Sequence, residues 1–116
     1  MAWLRGLCIP VAFAAALVST AAGAQTQWPR AQPVRLVVPA SPGGSLDALT
    51  RPLAARLGEI LGQTVVVENR GGAGGVLGAD QVAKAAPDGY TFLMAAVHHA
   101  VAPGVYPRMP YDSARD

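Results

Sequence analysis

A chain of 116 residues holds at most one small domain. Nine basic against seven acidic side chains give a formal charge of +2 with no basic stripe, which excludes a nucleic-acid partner. A single cysteine, Cys8, excludes an internal disulfide.

The N-terminus reads as a signal peptide over residues 1–24. Arg5 supplies a short positive start, Leu7 to Val18 is uncharged and apolar, and Ala22-Gly23-Ala24 offers the small residues a signal peptidase reads. The alternative, a retained anchor, needs roughly 18–20 apolar residues to span a bilayer, and Pro10 interrupts this shorter run. Cleavage after Ala24 removes Arg5 and Cys8, leaving eight basic and seven acidic residues and no thiol. Arg5-Gly6-Leu7 before Cys8 is not a lipidation motif. Gln25 to Gln32 is a polar, flexible lead-in.

Val34-Arg35-Leu36-Val37-Val38, closed by Pro39, is a β-branched run and reads as a first strand. Ser41-Pro42-Gly43-Gly44-Ser45 is a turn-rich loop. From there to Leu61, the spacing of Leu46, Leu49, Leu53, Leu57 and Ile60 or Leu61 predicts a helix with those residues on its buried face. Ser45 is placed as its N-cap, Asp47 suits its positive start, and Gly62 suits its exit. Pro52 lacks a backbone donor and predicts a kink or a late start.

Thr64 to Glu68 reads as a second strand whose valines predict burial on both faces. Asn69 to Gly75 is a glycine-rich loop, followed by a short helix over Val76 to Ala86 with Val76, Leu77, Val82 and Ala83 or Ala86 as its apolar positions. After the Pro87-Asp88-Gly89 turn, Tyr90 to Ala96 reads as a third strand. Val97 to Ala100 opens a loop or short helix, and Pro103, Pro107 and Pro110 predict an irregular tail. The order β-α-β-α-β predicts an α/β fold: a parallel sheet with right-handed crossovers, the first strand between the other two. In such sheets ligands bind at the carboxyl ends of the strands, and each post-strand loop here is rich in small or polar residues.

Three stretches are candidate sites. Ser41 to Ser45 combines glycines, which let backbone N–H groups face a ligand, with a helix start that favours anions; a glycine-rich turn without a ligand is equally consistent. Asp47 cannot favour an anion by charge and is expected to cap N–H groups or shape the loop. Asn69 to Gly75 has G-x-G at Gly72 and Gly74, but Leu77 stands where a dinucleotide fingerprint needs its third glycine. Arg70, with Ala73 and Gly74 of the same loop, is a possible ligand contact; the other reading of Arg70 is an ion pair with Glu68 or Asp47. His98 and His99 lack the converging ligands of a metal site, so one of them either hydrogen-bonds a ligand or is satisfied by backbone. No catalytic residue, cofactor or metal is expected, because no nucleophile stands beside a base.

Four ordered blocks carry a family resemblance: Pro33 to Asp47 (P-V-R-L-V-V-P-A-S-P-G-G-S-L-D), Leu61 to Gly75 (L-G-Q-T-V-V-V-E-N-R-G-G-A-G-G), Ala83 to Met94 (A-K-A-A-P-D-G-Y-T-F-L-M) and Tyr106 to Asp112 (Y-P-R-M-P-Y-D). Together they resemble the Bug, or tripartite tricarboxylate transporter substrate-binding, proteins. The resemblance implies a type II periplasmic-binding-protein fold of two α/β domains that close on a small carboxylated solute. It implies delivery of that solute to a membrane permease of the same transporter, with residues 33–116 forming the first part of domain 1. It also implies carboxylate contacts at Ala40, Ser41, Pro42, Gly43, Gly44, Ser45 and Asp47, and places Val97, His98 and His99 at the cleft. Three departures stand out. Ala102-Pro103 replaces the family's common Asn-Pro, Pro52 falls mid-helix, and the family's chains are more than twice this length. The alternatives are a truncated, non-functional fragment or interaction module, or a nucleotide-dependent enzyme on a doubly wound fold.

Overall fold

The structure, a computed structural model, describes residues 28–116. The expected signal peptide lies outside these residues. In chain order the elements are β1 (Val34–Val38), α1 (Ser45–Leu61), β2 (Val65–Asn69), a single 3-10 turn (Ala73–Gly75), α2 (Val76–Ala83), β3 (Thr91–Leu93) and α3 (Val97–Val105). The sheet order is β2-β1-β3 and both pairings are parallel, as the alternating pattern predicts. Val34 stands opposite Val65, and Leu36 stands opposite both Val67 and Phe92.

The pleat places Val34, Leu36 and Val38 on one face with Val65, Val67 and Asn69. The first helix covers that face, where Asn69 meets Asp47. Arg35, Val37 and Glu68 face the other way, towards α2, where Gln81 reaches Glu68. Central placement explains why β1 is the core: Val37 and Val38 are fully buried.

Several local expectations are corrected. The helix α1 buries Asp47, Thr50 and Ala54, whereas Leu49, Leu53 and Ile60 are 67%, 42% and 66% exposed. Close packing on the sheet selects small or internally satisfied side chains; Thr50 donates its hydroxyl to the Leu46 carbonyl at 2.6 Å. The helix continues through exposed Pro52. In α2, Gly78 and Ala79 join Val76 in the core while Leu77 is 57% exposed, and the helix ends at Ala83 rather than Ala86. As an open edge strand, β2 is only half-buried, with Val66 44% exposed. Pairing with β1 is limited to Arg35–Val37, which shortens β3 to three residues. In place of an irregular tail, α3 runs through Pro103 to Val105.

From Trp28 onward the lead-in is tied to the domain. The Trp28 indole donates to the Gly89 carbonyl at 2.8 Å, the Ala31 N–H reaches the Tyr90 hydroxyl at 3.2 Å, and Gln63 donates to the Pro29 carbonyl at 3.1 Å. Beneath this strap lies an apolar groove of about 230 Å³ between Leu57 and Leu61 of α1 and Val34, Val65 and Phe92 of the sheet. Among the described residues no helix is long and apolar enough to cross a membrane.

Candidate functional site

The chain leaves all three parallel strands at one edge of the sheet, so the three following segments meet there. Glycines set how closely they approach. A methyl group built on Gly71 would lie 3.4 Å from the Ala40 carbonyl carbon and the Ser41 nitrogen, so the loop after β2 rests on the loop after β1. On Gly78 it would lie 2.7 Å from the Arg70 oxygen and 2.9 Å from Pro39 Cβ, which presses α2 onto both loops. On Gly75 it would fall on the Cδ2 and Nε2 atoms of His98, and 3.3 Å from the Pro39 oxygen. The third helix therefore begins against the start of the second.

The first loop is exposed from Ser41 to Ser45, with Ala40 half-buried. Gly43 has φ +80°, a conformation that favours glycine. The N-cap of α1 is Gly44, not Ser45, and no side chain caps it. Asp47 acts from inside the helix: its Oδ2 accepts the Gly43 N–H at 2.9 Å and the Arg51 Nε–H at 2.9 Å. Its Oδ1 accepts from Asn69 Nδ2 at 3.0 Å. Asp47 is buried, so it shapes the loop from behind. The Gly43 N–H, then Arg51 and Asn69, hold its carboxyl at about 2, below the ordinary 3.8, against burial, which acts the other way.

Asn69, which opens the second candidate stretch, and Arg51, which the sequence pattern does not single out, complete this arrangement. Asn69 continues the inward alternation of Val65 and Val67 and so ends β2 facing α1. Arg51 follows Asp47 by four residues, the spacing of a helical ion pair. Arg51 also donates to Asn69 Oδ1 at 3.3 Å, so the three polar side chains close a ring beneath the loop.

Arg70 takes the ion-pair alternative: its Nε donates to Glu68 Oε1 at 2.7 Å, and Arg35 donates to Glu68 Oε2 at 3.1 Å. Arg35, followed by Arg70 and Gln81, holds the Glu68 carboxyl at about 2 against the opposing effect of burial. Ala73 and Gly74 both have positive φ, 48° and 62°, in the turn that starts α2, and a methyl on Gly74 would lie 2.7 Å from the Tyr106 hydroxyl. The histidines part: His98 turns in onto Gly75, and His99 stacks on Tyr111 with ring centroids 5.8 Å apart. Val97 is 78% exposed at the start of α3.

None of the three α-helices has a side-chain cap at its N-terminus; their N-caps are Gly44, Gly75 and Ala96. The first-turn N–H groups of a helix have no partner within it and carry the positive end of its dipole. At α2 the Gly75 and Val76 N–H groups are already taken by the Gly72 and Ala73 carbonyls, so the start of α1, behind its exposed glycine loop, is the one that suits an anion held by neutral donors. Among the described residues no group of three or more His, Cys, Asp or Glu could hold a metal.

Comparison with known proteins gives this geometry a family. Residues 49–116 match the model of the tripartite tricarboxylate transporter family receptor. The chain is 43% identical over 112 residues to the UPF0065 protein in the tcbD-tcbE intergenic region of Pseudomonas sp. strain P51, a match covering 97% of this chain and 33% of that protein. A solved periplasmic transporter superposes with a TM-score of 0.73 at 46% identity, over 78% of this chain and 30% of its own. A Rhodopseudomonas palustris protein solved with adipate gives 0.66 at 42% identity, over 78% and 30%. The chain thus spans about a third of the curated relative's length. It belongs to the tripartite tricarboxylate transporter receptor family, a family of binding receptors.

Proposed function

We propose that these residues form the first wall of the cleft in a periplasmic receptor that binds a small organic carboxylate and delivers it to a tripartite tricarboxylate-type membrane permease. One observation carries the reading: where the strands end, α1 starts without a side-chain cap behind an exposed glycine loop. The N–H groups at the start of α1, with the Ser41 and Ser45 hydroxyls, receive the carboxylate, and the loop is preshaped by Asp47 beneath it. Arg51 and Arg70 are engaged by Asp47 and Glu68, so neutral donors do the binding. The adipate in the R. palustris relative is a solute of this class. The signal-peptide pattern over residues 1–24 supports export to the periplasm.

One wall alone holds a carboxylate weakly. Two or three hydrogen bonds at about 0.5–1.5 kcal/mol each in water total about 1–4.5 kcal/mol, at best the roughly 4 kcal/mol of a millimolar complex. Titration calorimetry with di- and tricarboxylates, on this chain and on a version extended with the remainder of a relative, tests the reading. The extended protein should bind at micromolar concentration and lose binding on Gly44→Val, while the 116-residue chain binds weakly. An extended, folded protein that ignores the whole panel would refute the proposal.

A further inference from the structure

His98 carries the one imidazole nitrogen among the described residues that is buried with no hydrogen-bond partner, Nε2. A buried polar atom left unpaired costs about 1–3 kcal/mol, so its setting calls for a reason. The ring sits where all three post-strand segments meet. It belongs to the second residue of α3, it lies on Gly75 at the N-cap of α2, and the Pro39 carbonyl that follows β1 borders the same space. Gly75 is buried and has φ +91°, and any β-carbon there would overlap the ring. The imidazole is thus a spacer between two helix starts, seated on a position where only glycine fits.

We propose that His98 is a positioning residue: its ring, resting on Gly75, sets the separation of the α2 and α3 N-termini, and with it the alignment of the N–H groups offered to a carboxylate. The role belongs to the shape of the ring and not to its nitrogen. This rests on the carboxylate-receptor reading for its purpose, yet its geometry can be tested without any ligand. Asp80, on α2, is ion-paired with Lys84 through a hydrogen bond to Oδ2, and its buried Oδ1 accepts no hydrogen bond either, so the ring's nitrogen and this carboxylate oxygen are not joined to each other.

The test compares amide spectra of the 116-residue chain with those of His98→Phe and His98→Ala. Phenylalanine keeps a ring and discards the unpaired nitrogen; alanine removes the spacer. The expected result is that His98→Ala displaces the amide resonances of Pro39's neighbours in the 40–45 loop and of residues 75–79, while His98→Phe leaves most of them in place and does not lower thermal stability. If alanine disturbs only residues adjacent to 98, or if phenylalanine disturbs the two distant segments as much as alanine does, the proposal is overturned. A further variant, Gly75→Ala, drives a methyl into the ring and should displace α3 resonances; unmoved α3 resonances in a folded Gly75→Ala protein would also overturn it. Adding adipate to the version extended with the remainder of a relative separates the two claims. Failure of adipate to shift any amide of that extended protein counts against the carboxylate reading, whereas the positioning role is decided by the ligand-free spectra.

Discussion

Substituting alanine for glycine inside a helix normally adds stability, and Gly78 should do the reverse. The propensity gain is about 1 kcal/mol. A methyl at Gly78, however, would stand 2.7 Å from the Arg70 carbonyl oxygen, 2.9 Å from Pro39 Cβ and 3.0 Å from Pro39 Cα. Two of these atoms are backbone and the third belongs to a rigid ring, so relief requires α2 to lift from the loops after β1 and β2. Overpacking of this kind costs about 1–3 kcal/mol, and three contacts at or below 3.0 Å place Gly78 towards the upper end. The net expectation for Gly78→Ala is a loss of about 1–2 kcal/mol, or roughly 5–15 °C in melting temperature for a domain of this size. Gly104 of α3 is the control, because nothing lies within 4 Å of its would-be β-carbon; Gly104→Ala should be neutral or gain up to about 1 kcal/mol. Thermal and urea unfolding followed by circular dichroism measure both. A Gly78→Ala protein as stable as Gly104→Ala would show that the close approach of α2 to the two loops is not what holds the site edge together.

Three further outcomes are expected. Asp47 and Glu68 both have carboxyls held at about 2, below their ordinary 3.8 and 4.5, so the unfolded chain binds more protons in acid; their stabilisation is complete at neutral pH and is lost as the pH falls from about 4.5 towards 2. Urea midpoints from pH 7 to 2.5 should fall less steeply in Asp47→Asn/Glu68→Gln than in the parent, and parallel curves would contradict this. Ala73 holds φ +48° without being glycine; Ala73→Gly should raise stability by about 0.5–1 kcal/mol, the left-handed penalty less the entropy of glycine, and a lower unfolding midpoint would argue otherwise. Leu49 and Ile60 are each about two-thirds exposed on α1, so Leu49→Gln/Ile60→Gln should leave the unfolding free energy within about 0.5 kcal/mol of the parent, and a larger loss in urea unfolding would contradict this.

Element type and order were legible in the sequence because both depend on local chemistry. The β-branched runs Val34–Val38 and Val65–Val67, the punctuation by Pro39, Gly62 and Pro87-Asp88-Gly89, and the alternation of strand and helix suffice for a parallel sheet with the glycine loops at one edge. The four family blocks were legible for the same reason, since they lie along the chain. What only the tertiary structure decided depends on approach distance. Apolar spacing points to a leucine face on α1, but a helix lying close on a sheet buries what is small or internally hydrogen-bonded, and Asp47, Thr50 and Ala54 won that place. Burial of β2 and the length of β3 follow from which neighbours each strand has, a property no local pattern carries. The Asp47–Asn69 hydrogen bond and the seating of His98 on Gly75 join residues 22 and 23 positions apart in sequence, and such pairings exist only once the strands have set the loops side by side.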